Sequence, residues 1–243
     1  MRHRLDKSLM HRKIVSSRSK AQFLFLSGAV YVNNEPAKKL SQKVGPEDEV
    51  TVLQDSSFWV SRGALKLEYA LKTFKLGPFK GYALDIGAST GGFTQVLLHH
   101  GVDMVYAIDV GRGQLNKQLA EDDRVVNIEG VNARNIDQVD LPFFDYIVCD
   151  VSFISLDKVL LKPLEKAKDS CILIVLIKPQ FEVGPRKVGK KGIVKDPDLW
   201  EQACKKCIQF LFFQSWQVKQ IIKSPIKGSD GNVEFLALAT KLM

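Results

Sequence analysis

Leu84-Asp85-Ile86-Gly87-Ala88-Ser89-Thr90-Gly91-Gly92-Phe93 is an apolar, β-rich run that breaks into a Gly/Ser/Thr loop and resumes as a helix. Tyr82 to Ile86 has strand composition, and Gly87, Gly91 and Gly92 permit turns and close backbone approach that a Cβ would block. Phe93, Val96, Leu97 and Leu98 open a helical stripe whose first N–H groups point back at the loop. Alone, such a turn is as consistent with an ordinary βα connection as with a ligand site. Asp109 tips the reading. It closes the next strand-like run, Met104 to Ile108, so two strands deliver a carboxylate to one sheet edge, where open α/β sheets bind ligands. The spacing Gly87-x-x-x-Gly91-Gly92 departs from the Gly-x-Gly-x-x-Gly of dinucleotide loops. It favours a smaller adenosyl cofactor, whose ribose hydroxyls need an acidic acceptor.

Outward from this loop the chain alternates strand and helix. Strands are expected at Tyr82 to Ile86, Met104 to Ile108, Val125 to Ile128, Tyr146 to Cys149, Cys171 to Ile177, Gln217 to Ile222 and Val233 to Thr240. The pattern predicts an α/β fold, a mostly parallel sheet with helices on both faces. Only Lys223 to Asn232 separate the last two strands, too few residues for a crossover helix, so these should be antiparallel neighbours. Helix Leu199 to Phe213 is read as packing Cys204, Ile208, Leu211 and Phe212 into the core, with its lysines outside. Asp150 and Lys178 each follow an apolar strand, which brings a carboxylate and an ammonium to the edge that holds Asp85 and Asp109. A lysine there is partly desolvated and suited to taking a proton. By spacing alone, Lys66, on a helix starting near Val60, reads as a surface lysine.

The 243 residues are 45% hydrophobic and carry a net charge of +8. Residues 1–43 hold ten Lys/Arg against Asp6 and Glu35, which is the whole of that charge. A basic module beside a neutral body points to a polyanion held at one end. In the module, Leu5, Leu9 and Val15 mark a short helix, Ser17 caps a second one carrying Ala21, Leu24 and Phe25, and Gly28 stops it. Ala29 to Val32 and Val50 to Val52 read as strands, with a tight turn at Asn33-Asn34. Gln54 to Ser57 is a short linker, dividing the chain into 1–58 and 59–243. The apolar runs are too short to span a membrane, and the polar opening Met1-Arg2-His3-Arg4-Leu5-Asp6 has no signal-peptide pattern, so a cytoplasmic protein is expected. The four cysteines are no disulfide framework, and Cys204-Lys-Lys-Cys207 lacks the second pair a zinc site needs, so no metal is expected.

Three segments carry a family resemblance. Arg4-Leu5-Asp6-Lys7, Ser16-Ser17-Arg18-Ser19-Lys20-Ala21 and Gly28-Ala29-Val30-Tyr31-Val32-Asn33 resemble the S-four-like RNA-binding domain. The alternating region resembles the class I, seven-stranded methyltransferase fold that binds S-adenosyl-L-methionine. Lys66, Asp150, Lys178 and Glu234 resemble the Lys-Asp-Lys-Glu tetrad of FtsJ-type 2′-O-ribose methyltransferases. Together with Ser61-Arg62-Gly63-Ala64-Leu65-Lys66-Leu67, Cys149-Asp150-Val151-Ser152-Phe153-Ile154-Ser155 and Ile177-Lys178-Pro179-Gln180-Phe181-Glu182, these motifs make the chain similar to the TlyA family over nearly its full length.

The resemblance implies a ribosomal RNA cytidine 2′-O-methyltransferase, with ribosomal RNA or a ribosomal subunit as partner. It makes Lys66, Asp150, Lys178 and Glu234 catalytic, with Lys178 as the base. It gives the cofactor to Asp85, Gly87, Ala88, Ser89, Thr90, Gly91, Gly92, Phe93, Asp109, Val110, Asn132 and Asp150. RNA falls to Arg4, Lys7, Arg12, Lys13, Arg18, Lys20, Arg62, Arg186, Lys187, Lys190 and Lys191, the last four in a Gly/Lys-rich segment, Phe181 to Lys195, read as a flexible loop closing over RNA. Phe153 either supports a flipped base or caps the core. Val131 stands where the family pattern has threonine, and the short N-terminus bears on which subunit is modified. Two other readings compete: an RNA-binding or assembly protein that keeps the loop as a fold element, and a membrane-lytic hemolysin, which the absence of a long apolar segment disfavours.

Overall fold

The computed structural model describes residues 2–26, 29–33, 35–52, 59–189 and 192–242, apart from the side chains of Ser19, Phe23 and Leu26. The chain divides into two compact units, Met1–Arg62 and Gly63–Met243. Gly28, Asn34 and the linker at Gln54 to Ser57 lie outside the described residues.

In the first unit, β1 (His3–Arg4) leads into α1 (Leu5–His11), and α2 (Arg18–Leu26) follows. Ser17 caps α2 as its composition predicts, its Oγ accepting the N–H of Lys20 at 3.1 Å. Then come β2 (Val30–Val32), β3 (Glu35–Pro36), β4 (Lys43–Val44) and β5 (Val50–Val52). The antiparallel order is β3-β2-β5, with β1 pairing separately to β4. Leu5 and Leu9, one turn apart on α1, are buried, as are Val15, Ala21, Leu24, Val30, Val44 and Val50. The two-residue strands β1, β3 and β4 are too short to show an alternation in sequence.

The second unit opens with α3 (Gly63–Phe74) and alternates through β6 (Tyr82–Ile86), α4 (Gly92–His99), β7 (Met104–Asp109), α5 (Lys117–Ala120) and β8 (Val125–Glu129). It continues through β9 (Phe144–Cys149), α6 (Leu156–Val159), α7 (Leu161–Glu165), β10 (Ala167–Ile177), α8 (Pro179–Glu182), α9 (Pro197–Phe213), β11 (Trp216–Lys223) and β12 (Phe235–Lys241). The sheet order is β11-β12-β10-β9-β6-β7-β8. β8, β7, β6, β9 and β10 run parallel, and β12 lies antiparallel between β10 and β11. All seven expected strands are present. The chain passes from β6 to β7 on one side and reaches β9 on the other, so β6 sits where the winding reverses and a crevice opens at the strand ends.

One expectation is corrected. On α9 the buried face is Ala203, Cys207 and Leu211, while Ile208 and Phe212 are 40% and 64% exposed. Of the expected residues Leu211 is in the core and Cys204 packs against it, while the stripe at i, i+4 and i+8 leaves Ile208 and Phe212 outside. At the far end of the segment after α8, Gly192 and Val194 are held by Asn232 and Trp200. The Asn232 side chain, 1% exposed, accepts from Val194 N and donates to Gly192 O, and Trp200 Nε1 donates to Val194 O. Among the described residues no helix is long and apolar enough to cross a membrane, and no group of three or more His, Cys, Asp or Glu could hold a metal.

Candidate active site

The β6–α4 loop is built from backbone. Gly87 adopts φ +80°, and a Cβ on it would lie 2.6 Å from the carbonyl oxygen of Asp150, so only glycine lets the ends of β6 and β9 approach this closely. The N–H groups of Gly87 and Ala88 donate to Ile108 O at 2.8 and 3.1 Å. Gly91, at φ +93°, caps α4 under the side chains of Leu115 and Leu119, and a Cβ there would reach within 2.4 Å of Leu119. Asp109 binds the loop from the next strand, its Oδ2 accepting from Ser89 N at 2.8 Å and its Oδ1 from Gly111 N at 2.7 Å.

A cavity of about 480 Å³ opens beside this loop, within the range of small-ligand sites. Of the residues expected to bind a cofactor, Gly87, Ser89, Asp109, Val110, Asn132 and Asp150 line it. Asp85, Ala88, Thr90, Gly91, Gly92 and Phe93 do not, because the loop's second half turns into the first turn of α4 and Asp85 is fully buried beneath it. Burial pushes the Asp85 carboxyl up to about 7; the hydrogen bond from Thr94, 2.6 Å, opposes the rise and the charge of Asp150 adds to it. Gln114, Val131, Ala133 and Ile154 also line the cavity. Sequence reading missed Glu129, which accepts the N–H groups of Gly113, Gln114 and Leu115 and so fixes the loop beneath Gln114; these donors, Leu115 first, hold its carboxyl below the usual range.

Four charged side chains meet around Asp150, which lines the cavity. Lys178 Nζ lies 2.6 Å from Asp150 Oδ1, Lys66 Nζ lies 3.7 Å from Asp150 Oδ2, and Lys66 Nζ lies 2.7 Å from Glu234 Oε2. Lys66, Lys178 and Glu234 are buried, at 8%, 8% and 3% exposure. Two ammoniums face two carboxylates, the balance that burying charge requires. Lys66 is therefore not a surface lysine. It shares the stripe of Ala70 and Phe74 on α3, four and eight residues on, and a lone cation on an apolar stripe was the signal available. Lys178 Nζ also donates to Ser152 Oγ at 2.9 Å. A Cβ on Gly228 would come within 2.4 Å of Glu234 Oε1, so that glycine gives the carboxylate its room. Neither Ser152 nor Gly228 was expected. Phe153 is 89% exposed at φ +66°, its ring 5.3 Å from that of Phe181, so it does not cap the core.

The expected RNA-binding residues are spread over both units. Arg4 and Arg18 both bond to the buried Asp6, at 3.0 and 3.1 Å. Arg12 Nη2 donates to Gly45 O at 2.8 Å; Lys7 and Lys13 are exposed, and Lys20 and Arg62 half-buried. Arg186 is exposed, Lys187 Nζ reaches Gln202 Oε1 at 2.5 Å, and Lys190 and Lys191 lie outside the described residues.

A seven-stranded doubly wound sheet with one reversed strand, a glycine loop over an acidic cavity and a charged cluster at its mouth define a Rossmann-like methyltransferase. Comparison with known proteins narrows this. Residues 59–241 match the FtsJ-like methyltransferase family and residues 3–50 the S4 domain. The chain belongs to the FtsJ-like methyltransferase family, in the group that includes TlyA. It is 41% identical over 243 residues to the 16S/23S rRNA (cytidine-2'-O)-methyltransferase TlyA of Mycobacterium tuberculosis, covering 99% of this chain and 91% of that one. It is 35% identical over 251 residues to the 23S rRNA (cytidine-2'-O)-methyltransferase TlyA of Campylobacter jejuni, covering 92% and 94%. A solved structure from Streptococcus thermophilus with a hemolysin designation superposes with a TM-score of 0.74 at 36% identity, covering 99% of this chain and 89% of that one.

Proposed function

We propose that this protein methylates the ribose 2′-hydroxyl of a cytidine in ribosomal RNA, with S-adenosylmethionine as donor. The observation that carries the reading is the chain Glu234–Lys66–Asp150–Lys178, joined to the cavity through Asp150, which belongs to both. The cavity suits the donor. Val110, Val131, Ala133 and Ile154 offer apolar walls for a purine, and Asp109 an acceptor for ribose hydroxyls. When bound, S-adenosylmethionine supplies an electrophilic methyl group on a sulfonium.

The protein's own residues supply position and proton transfer. A 2′-hydroxyl is a weak acid and must lose its proton as its oxygen attacks. Lys178 Nζ, held between Asp150 and Ser152, takes that proton as the neutral amine, its own ammonium proton having first gone to water. Lys66, fixed by Glu234, keeps Asp150 oriented from the other side, and the buried setting strengthens each of these contacts. Phe153, exposed at the rim, offers a face on which an unstacked base can rest. The S4 unit contributes the guanidiniums of Arg4 and Arg18, which suit phosphate contacts that position RNA without reading sequence.

The test is transfer of labelled methyl from S-adenosylmethionine to ribosomal RNA or ribosomal subunits, with the product mapped by ribose-methylation sequencing. At least one modified cytidine that vanishes in cells lacking the gene is the expected result. Binding of RNA with no affinity for S-adenosylmethionine by calorimetry would instead support a non-catalytic RNA-binding protein. Mapping also decides between one ribosomal subunit and both.

A further inference from the structure

A second buried charged cluster lies outside the methyl-transfer site. Glu182, 7% exposed, accepts the N–H of Leu156 at 2.8 Å through Oε1, and its Oε2 lies 2.6 Å from Ser155 Oγ and 3.1 Å from Lys206 Nζ. Lys206 also donates to Ser155 Oγ at 2.6 Å and pairs with Asp157 at 3.3 Å. Ser155 Oγ contacts Asp157 as well; with one proton it donates to one carboxylate at a time and accepts from Lys206. Burial works against the Lys206 ammonium, but Glu182 and Asp157 outweigh it and hold its pKa above the ordinary lysine value.

The cluster's place in the chain gives it meaning. Ser155 stands five residues after Asp150, and Glu182 four residues after Lys178. The first segment is a loop leaving β9 and the second is the one-turn helix α8 leaving β10, and loops that carry functional groups are mobile unless tied. They are tied twice. At the near end Lys178 bonds Asp150 and Ser152; at the far end Glu182 bonds Ser155 and Leu156. The Phe153–Phe181 pair lies between, and the positive φ of Phe153 persists only if its surroundings hold it.

We propose that Glu182 is a positioning residue for methyl transfer, clamping the Asp150–Ser155 loop to the Lys178–Glu182 turn so that Lys178 and Phe153 keep a fixed relation at the substrate ribose. This rests on the proposed ribose methylation. Glu182 touches no reacting atom and acts through Ser155 and Leu156.

The experiment compares wild type, Glu182→Ala and Glu182→Gln in the full chain by single-turnover methyl transfer to ribosomal RNA, calorimetry with S-adenosylmethionine, and amide hydrogen exchange over residues 150–156. Glu182→Ala is expected to slow transfer about 10- to 100-fold, the scale of a small misplacement of a reacting group. Cofactor affinity should stay within about twofold, since Glu182 is not at the cavity, and exchange should rise in the loop. Glu182→Gln, whose amide oxygen still accepts from Leu156 N–H, should recover most of the rate and the protection. Equal loss in both variants, a loss that follows cofactor affinity, or unchanged exchange in Glu182→Ala overturns the proposal. If wild type methylates no RNA, ribose methylation falls, and the exchange result alone decides whether Glu182 clamps the loop.

Discussion

The β6–α4 loop and the four-residue charged cluster adjoin one another, yet they are made by opposite means. The loop is contiguous and rests on backbone: positive φ at Gly87 and Gly91, N–H groups donated to Ile108 O and Asp109, and no room for a Cβ. The cluster joins side chains from α3, the end of β9, the end of β10 and the start of β12, and little but those side chains defines it. A loop of the first kind tolerates changes in exposed side chains and fails on backbone changes. The cluster is expected to behave the other way, since removing one partner leaves a buried charge exposed to its like.

The largest effect that separates the two regions should be Lys178→Met. Single-turnover transfer is expected to fall by about 10³-fold, within the range for removing a general base, while calorimetric affinity for S-adenosylmethionine stays within about threefold. Full activity in this variant removes Lys178 as the base, and lost cofactor binding breaks the separation itself. Gly87→Ala should do the reverse. Its Cβ would meet Asp150 O at 2.6 Å at a φ that disfavours alanine, so cofactor affinity should drop about 10- to 100-fold, measured by calorimetry.

Asp85→Asn tests the buried carboxyl below the loop. The carboxyl is raised from an ordinary 3.8 to about 7, so the folded state keeps a proton that the unfolded chain gives up. Stability of wild type therefore falls as pH rises through that window and is level above it. The variant has nothing to ionise, and its amide oxygen can still accept from Thr94. It should be more stable than wild type by on the order of a few kcal/mol above about pH 7, the difference vanishing near about pH 4, in urea melts across pH. A difference independent of pH would show that ionisation is not its source. Smallest of all should be Thr90→Ala. Thr90 is exposed and does not line the cavity, so stability should change by no more than about 0.5 kcal/mol and cofactor affinity by less than about twofold.

The same contrast explains what could be read from sequence. The inner parts of β6, β9 and β10 (Ala83-Leu84, Ile147 to Cys149 and Cys171 to Ile177) are apolar and almost wholly buried, so the sheet and the acids Asp85, Asp109 and Asp150 were legible. Too few residues join the last two strands for a crossover, which gave their antiparallel pairing. Contacts between distant segments were not legible. Glu129 acts on residues 113–115, Gly228 on Glu234, and Asn232 on the segment at Val194. Nothing local distinguishes these from ordinary surface or turn residues. Lys66 and Glu234 entered by family resemblance, and burial on α3 supplies the physical reason for the lysine. The face of α9 was misjudged because Ile208 and Phe212 are apolar yet exposed, and apolar residues on a surface are common.

The reversal of β12 decides one more thing. Parallel strands of this sheet present residues at the crevice only where they end, as β9 does with Asp150 and β10 with Lys178. An antiparallel strand presents its beginning there instead: Phe235 pairs with Ile177, so Glu234, just ahead of Phe235, arrives beside the residue that follows Ile177. Were β12 turned to run with its neighbours, its seven residues would carry Glu234 about 20 Å away to the far side of the sheet. Lys66 would then face Asp150 alone. The direction of a single strand determines whether that lysine has one acidic partner or two.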